Sequence, residues 1–183
     1  MATPTSLPAT FVAGNVLTAA QMNDLRGAFR ILQVVTTNKT DTFTTSSGTF
    51  VDITGFSASI TPSSASNKIL VMASYSISND SNTTTSGALA RLMRDSTAIF
   101  VGDSAGNRAP SSGYHGNEAL YRMVTHVTNT VVDSPATTSA VTYKLQLRRG
   151  SGGNAVFNRS GEDFDGTAVA RLASSITLLE VSA

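Results

Sequence analysis

The sequence predicts a mainly β protein: a single antiparallel β-sandwich or jelly-roll head, preceded by an extended arm and one short N-terminal helix. Three observations carry this expectation. Apolar and polar residues alternate in the two-residue period of strands along most of residues 30–183. Turn-forming clusters interrupt that pattern roughly every 8 to 14 residues, the rhythm of a sandwich or jelly roll. Only 14% of residues are charged, whereas Ser and Thr make up about a quarter of the chain. The polar surface is therefore largely hydroxyl, as in many β-rich extracellular or particle proteins.

The first element is an arm. Residues 1–10 contain two prolines and several hydroxyls, and lack the basic and apolar regions of a signal peptide. Phe11 to Phe29 then carries helix signals. Thr18 is a good N-cap and Gln21 completes a capping box, with Leu17 and Met22 placed as a hydrophobic staple. Ala19 and Ala20 favour the helix and Gly27 can end it. Met22, Leu25 and Phe29 fall on one stripe, three and four residues apart. Together with Phe11, Val12 and Leu17 they form the expected docking segment. Such a short helix is marginal alone in water, so it needs a partner surface.

The strand pattern begins at Arg30 to Val35 and continues through short candidates at Thr42 to Thr45 and Thr49 to Ile53, joined by Ser46-Ser47-Gly48. Phe56 to Thr61 alternates up to Pro62. Asn67 to Ser78 is the clearest long strand, with Ile69, Val71, Ala73, Tyr75 and Ile77 on one face. Leu70 and Met72 make its other face apolar at one end, which implies a second layer or a neighbouring subunit there. Ala88 to Arg94 and Ala98 to Val101 form a hairpin across Asp95-Ser96. Gly102 to Gly116 reads as a long loop and, with Asn79 to Ser86, as an exposed tip where recognition would sit. Ala119 to Val132, Val141 to Leu147, Ala155 to Asn158 and Ser174 to Val181 complete the set. Residues 1–29 are thus an anchor and residues 30–183 one head domain, in a chain whose 183 residues are enough for a sizeable core.

Charge and composition exclude several function classes. A formal net charge of +1 without a basic stripe argues against nucleic acid as a partner. Cysteine is absent, which removes disulfides, thiol chemistry and the usual zinc ligands. No apolar run approaches the ~20 residues needed to span a bilayer, so no membrane insertion is expected.

Chemistry is sparse. His115 and His126 lack metal-ligand spacing and read as exposed or structural. Glycosidic hydrolysis requires two placed carboxylates, and the 12 acidic residues fall mostly in loops without tryptophan platforms. No catalytic, cofactor or metal residue is therefore assigned, and no enzyme is expected. The run Gly161-Glu162-Asp163-Phe164-Asp165-Gly166 has the composition of a cation site but not the EF-hand spacing; the plainer reading pairs it with Arg159 or Arg171. Ten arginines stand against three lysines. Arg91, Arg122, Arg148 and Arg171 fall among apolar strand residues, where the planar guanidinium suits an interface. Arg91, Arg122 and Arg171, with Tyr75 and Tyr143, are the expected oligomer contacts.

The run from Ile31, I-L-Q-V-V-T-T-N-K-T-D-T-F-T-T-S-S-G-T-F-V-D-I-T-G-F, resembles a family of small tail-fibre-like virion structural proteins of marine and cyanobacterial bacteriophages. The segments D-S-P-A-T-T-S-A-V-T-Y-K-L-Q-L-R and S-I-T-L-L-E-V are similar to that family too, so the resemblance covers residues 30–183. The segment F-V-A-G-N-V-L-T-A-A-Q-M-N-D-L-R resembles a short N-terminal segment of diverse phage fibre and tail proteins. The strand rhythm is compatible with the jelly rolls of tumour-necrosis-factor and complement-type trimers. The resemblance implies a non-enzymatic homotrimeric fibre or knob attached to tail or neck; a capsid decoration protein stabilising the shell is the alternative. Its implied partners are its own copies and other virion proteins (tail, neck or major capsid), with a host-surface glycan as a candidate ligand. Its implied location is the virion, assembled in the host cytoplasm and released by lysis.

Overall fold

The computed structural model describes residues 30–82, 87–116 and 122–182, together with 16, 18 and 19. The expected docking residues Phe11, Val12, Leu17, Met22, Leu25 and Phe29 lie outside the described residues. Eleven strands are described: β1 (Ile31–Lys39), β2 (Phe43–Thr45), β3 (Val51–Ile60), β4 (Lys68–Asn79), β5 (Gly87–Arg94), β6 (Thr97–Ile99), β7 (Gly113–Gly116), β8 (Thr125–Asp133), β9 (Val141–Arg149), β10 (Ala155–Phe157) and β11 (Ser174–Val181).

All strand pairings are antiparallel and divide into two sheets. In the first, β4 pairs with β11 through residues 68–74 and with β10 near residues 77–79, while β8 runs along residues 69–77. A strand has two edges, so β10 shares the β11 edge and β8 takes the other. The main order is β1-β11-β4-β8. By the same reasoning β5 has β9 on one edge and both β7 and β6 on the other, giving β3-β9-β5-β7. Among the described residues the sheets have six and five strands in all, and the seven strands of eight or more residues (β1, β3, β4, β5, β8, β9, β11) alternate between them in chain order, the jelly-roll arrangement expected from the sequence.

The strict period-two pattern explains the layering. Ile69, Val71, Ala73, Tyr75 and Ile77 of β4 are solvent-inaccessible, as are Tyr143, Leu145 and Leu147 of β9 and Ala88, Ala90 and Leu92 of β5. They meet Ile176 and Leu178 from β11 and Phe56 from β3 in one core. Phe157 packs on Phe56 with ring centroids 5.1 Å apart. Burial of each large side chain contributes roughly 1.5–3 kcal/mol.

Local details depart from the strand boundaries expected from sequence. β1 continues to Lys39 because its pairing with β11 persists to Lys39↔Ser174. Thr49–Ile53 and Phe56–Thr61 fuse into β3, since Gly55 at φ +75° takes up a bulge that no β-branched residue would adopt without strain. The Gly/Ser-rich loop after Val101 contributes β7, whose partner is the edge of β5.

Polar groups tie the ends of the sandwich. Arg94 of the second sheet donates to both carboxylate oxygens of Asp133 on the first, at 2.9 and 3.0 Å, and the Tyr143 hydroxyl donates to the same group at 2.6 Å. At the far end of β11, the buried Glu180 accepts hydrogen bonds from Gln33, from the Ser63 amide and hydroxyl, and from Asn67. Burial alone would raise this carboxyl, but the donors outweigh it and hold it below the ordinary range.

Candidate interaction surfaces

The outward positions of the two sheets differ in kind, and they are the surfaces this head presents. On the first sheet the register aligns Val132, Leu70, Leu179 and Val34 in one row across β8, β4, β11 and β1. All four point away from the core, and Val132 and Val34 are 63% and 58% exposed. The next row is Thr130, Met72, Thr177 and Thr36, and the one beyond is Thr128, Ser74, Ser175 and Asn38. The face therefore grades from apolar to hydroxyl without a charged side chain in these three rows. The apolar second face of β4 expected from Leu70 and Met72 extends across the whole sheet, and Met72 is 42% exposed.

The second sheet presents planar and charged groups. Phe50, just ahead of β3, has the Arg91 guanidinium 4.3 Å and the Arg148 guanidinium 5.6 Å from its ring centroid. Arg91 Nε donates to Gln146, whose amide donates to Asp52, and Lys144 donates to the other oxygen of Asp52. Those bonds from Lys144 and Gln146 hold the Asp52 carboxyl below its ordinary value.

The expected oligomer contacts are thus dispersed. Tyr75 and Tyr143 are solvent-inaccessible inside the sandwich, which corrects their assignment to a subunit interface. The Tyr75 hydroxyl fills the space that Gly113 leaves by lacking a Cβ and donates to Asn129; burial raises both phenols. Alternation along a strand assigns a face, and these two tyrosines lie on the inner one. Arg91 lies on the outer face of the second sheet. Arg122 pairs with Glu162 and lies over Phe164, and Arg171 pairs with Asp163 at 2.6 Å. Arg159, mostly buried, reaches the same Asp163 at 3.5 Å and donates to the Ser160 and Gly161 carbonyls. Asp163 of the acidic run thus pairs with Arg159 and Arg171, as the plainer reading expected, while Glu162 pairs with Arg122, which that reading did not name.

The histidines are structural in different ways. His126 lies exposed on β8, bonded through its two ring nitrogens to Ser74 and Ser76. His115 belongs to β7 rather than to an open loop and is buried; its Nδ1 meets Thr125, while Nε2 has no hydrogen-bond partner. Burial lowers its pKa, keeping the ring neutral.

Sequence reasoning missed Phe50 and Tyr114 as surface groups. Phe50 falls within the expected strand Thr49–Ile53, and its place opposite Arg148 follows once the β3–β9 register is known. Tyr114 sits in the run Gly113-Tyr114-His115-Gly116, and an aromatic residue between glycines was the available signal. No protein-family model matches the chain, and no curated protein matches it.

Proposed function

We propose that this chain is a non-enzymatic bacteriophage virion structural protein: a homotrimeric knob whose head self-associates and whose residues 1–29 attach it to tail or neck. The observation that carries this reading is the uncharged apolar row Val132–Leu70–Leu179–Val34 on the outside of the first sheet. A flat apolar sheet face in water is costly, and burial against further copies removes that cost at about 25 cal/mol per Å². The hydroxyl rows beside it, with the Thr36–Thr177 bond at 3.0 Å, allow such contact without stranding a charge. The chain reaches this sheet at Arg30, whose amide and carbonyl both bond to Ser182. Arg30, the residue to which the anchor segment is joined, lies at the same end of the sheet as the apolar row. The resemblance to tail-fibre-like phage proteins supports the virion setting, and the number three rests on analogy with the jelly rolls of tumour-necrosis-factor and complement-type trimers.

Deletion of residues 1–29 tests the division of labour. The truncated head should remain folded and trimeric by light scattering, yet be missing from purified particles. Recovery of the truncated head on particles overturns the anchor role. Hundreds of copies per particle, instead of a few trimers, overturn tail or neck attachment in favour of shell decoration.

A further inference from the structure

The outer face of the second sheet carries an aromatic ring in an unusual seat. Tyr114 on β7 stands opposite Leu89 on β5, and Gly87 stands opposite Gly116. A Cβ at Gly116 would come within 3.0 Å of the Tyr114 Cε1 atom and hydroxyl, and one at Gly87 within 3.2 Å of Cε2. The ring therefore lies across both glycines, occupying the room their missing side chains leave. Its other side is open, and the residue is 59% exposed. A tyrosine on a strand ordinarily stands away from the sheet; here two glycines let it lie down as a platform.

The register places the remaining groups on the same face. Tyr114, Leu89, Arg148 and Phe50 form one row, and Arg91, Gln146 and Asp52 the next. Tyr114 and Arg148 are two strand spacings apart, about 10 Å. Phe50 holds both guanidinium groups in place, and the bonds made by Arg91 and Arg148 engage only Nε. Among the described residues neither arginine forms a direct ion pair, although Asp52 lies near enough to Arg91 for that charge to help hold its carboxyl low; both arginines are partly exposed.

We propose that this face binds an acidic saccharide, with one sugar ring stacked on Tyr114 and the carboxylate of a neighbouring sugar held by Arg148 and Arg91. The platform suits the flat C–H face of a pyranose, and the pre-ordered guanidinium groups suit a carboxylate in bidentate geometry. Leu89, between them, offers an apolar floor. Sugars need acceptors as well as donors, and Gln146 and Asp52 supply them. Asp52, on the edge strand β3, interrupts the positive charge of this face, which therefore offers a seat for one carboxylate and not the unbroken basic track that a polynucleotide requires. The inference goes beyond the proposed function and rests on that reading only for the source of the saccharide. The test uses isolated protein and sugar, whereas attachment is read on particles, so the two can fail separately.

Titration calorimetry of the full chain with hexagalacturonate tests the site, with maltohexaose and an oligothymidylate of similar length as comparators. Saturable binding of hexagalacturonate that exceeds both comparators is expected. Tyr114→Ala and Arg148→Gln should each weaken it about tenfold, while Tyr114→Phe keeps it, because stacking needs the ring and not the hydroxyl. Unchanged melting temperatures in these variants tie the loss to the surface. Absence of saturable binding, an unaltered affinity in Tyr114→Ala, or tighter binding of the oligothymidylate each overturns the proposal.

Discussion

The two outer faces of this sandwich are built by the same device and end with opposite chemistry. On β1-β11-β4-β8 the outward residues are Val34, Leu179, Leu70, Val132 and Met72, followed by threonines and serines. On β3-β9-β5-β7 they are Arg91, Arg148, Lys144, Asp52 and Gln146 around Phe50 and Tyr114. In the proposed roles the first face would gain by excluding water over a broad area, whereas the second would offer a few directional groups to a solvated ligand. A jelly roll can thus assign assembly to one sheet and recognition to the other, because alternation leaves each outer face independent of the shared core.

The largest effect expected from breaking this contrast is on assembly. Leu179→Asp or Val34→Asp places a charge in the apolar row and should convert the associated head to monomers, read by light scattering. Arg148→Glu, on the opposite face, should leave the oligomer intact. Dissociation by the second change but not the first would reverse the assignment of the faces.

The carboxylates sharpen the comparison at the next level. Glu180 is enclosed with four donated bonds behind the first sheet, and Asp52 is half-exposed on the second. Glu180→Gln should lower unfolding free energy by about 1.5–3 kcal/mol in urea titrations, and Asp52→Asn by less than about 1 kcal/mol. Both carboxyls have folded values below their ordinary ones. Their stabilisation is accordingly present above the unfolded value, 4.5 for glutamate, and is lost as pH falls through the lower folded value. Equal losses in the two variants would remove the distinction.

The smallest effect concerns His115, on the inner side of β7 beneath the Tyr114 face. Its folded pKa lies below the ordinary 6.5. The unfolded chain therefore takes up a proton that the folded ring refuses, and stability should decline as pH drops below 6.5. His115→Gln should flatten that decline by about 1 kcal/mol or less between neutral and mildly acidic pH. An unchanged slope, measured by urea unfolding across that range, would show that burial at this position does not control titration.

Much of this was legible because period-two patterning reports burial directly. Ile69 to Ile77 and Val141 to Leu147 fall on the inner faces that their alternation assigned, and Asp95-Ser96 forms the turn their composition suggested. The arginine partners of Asp163 were likewise within reach of composition. The face of a tyrosine relative to a subunit boundary was not: Tyr75 and Tyr143 look equally suited to a core and an interface until both sheets are in place. Nor did sequence indicate that Gly113–Gly116 is a strand, since four residues with two glycines gain strand character only from the β5 edge beside them.

The amino-acid order by itself determined the β class, the two-layered core and the inward set of residues, because alternation along each strand is a local property. Only the tertiary structure decided which outward residues become neighbours. Val34 and Val132 lie far apart in sequence and meet in one row through register, and Tyr114, Arg148 and Phe50 are joined across four strands in the same way. Long-range hydrogen-bond register, which no local pattern encodes, is what turns separate residues into two surfaces.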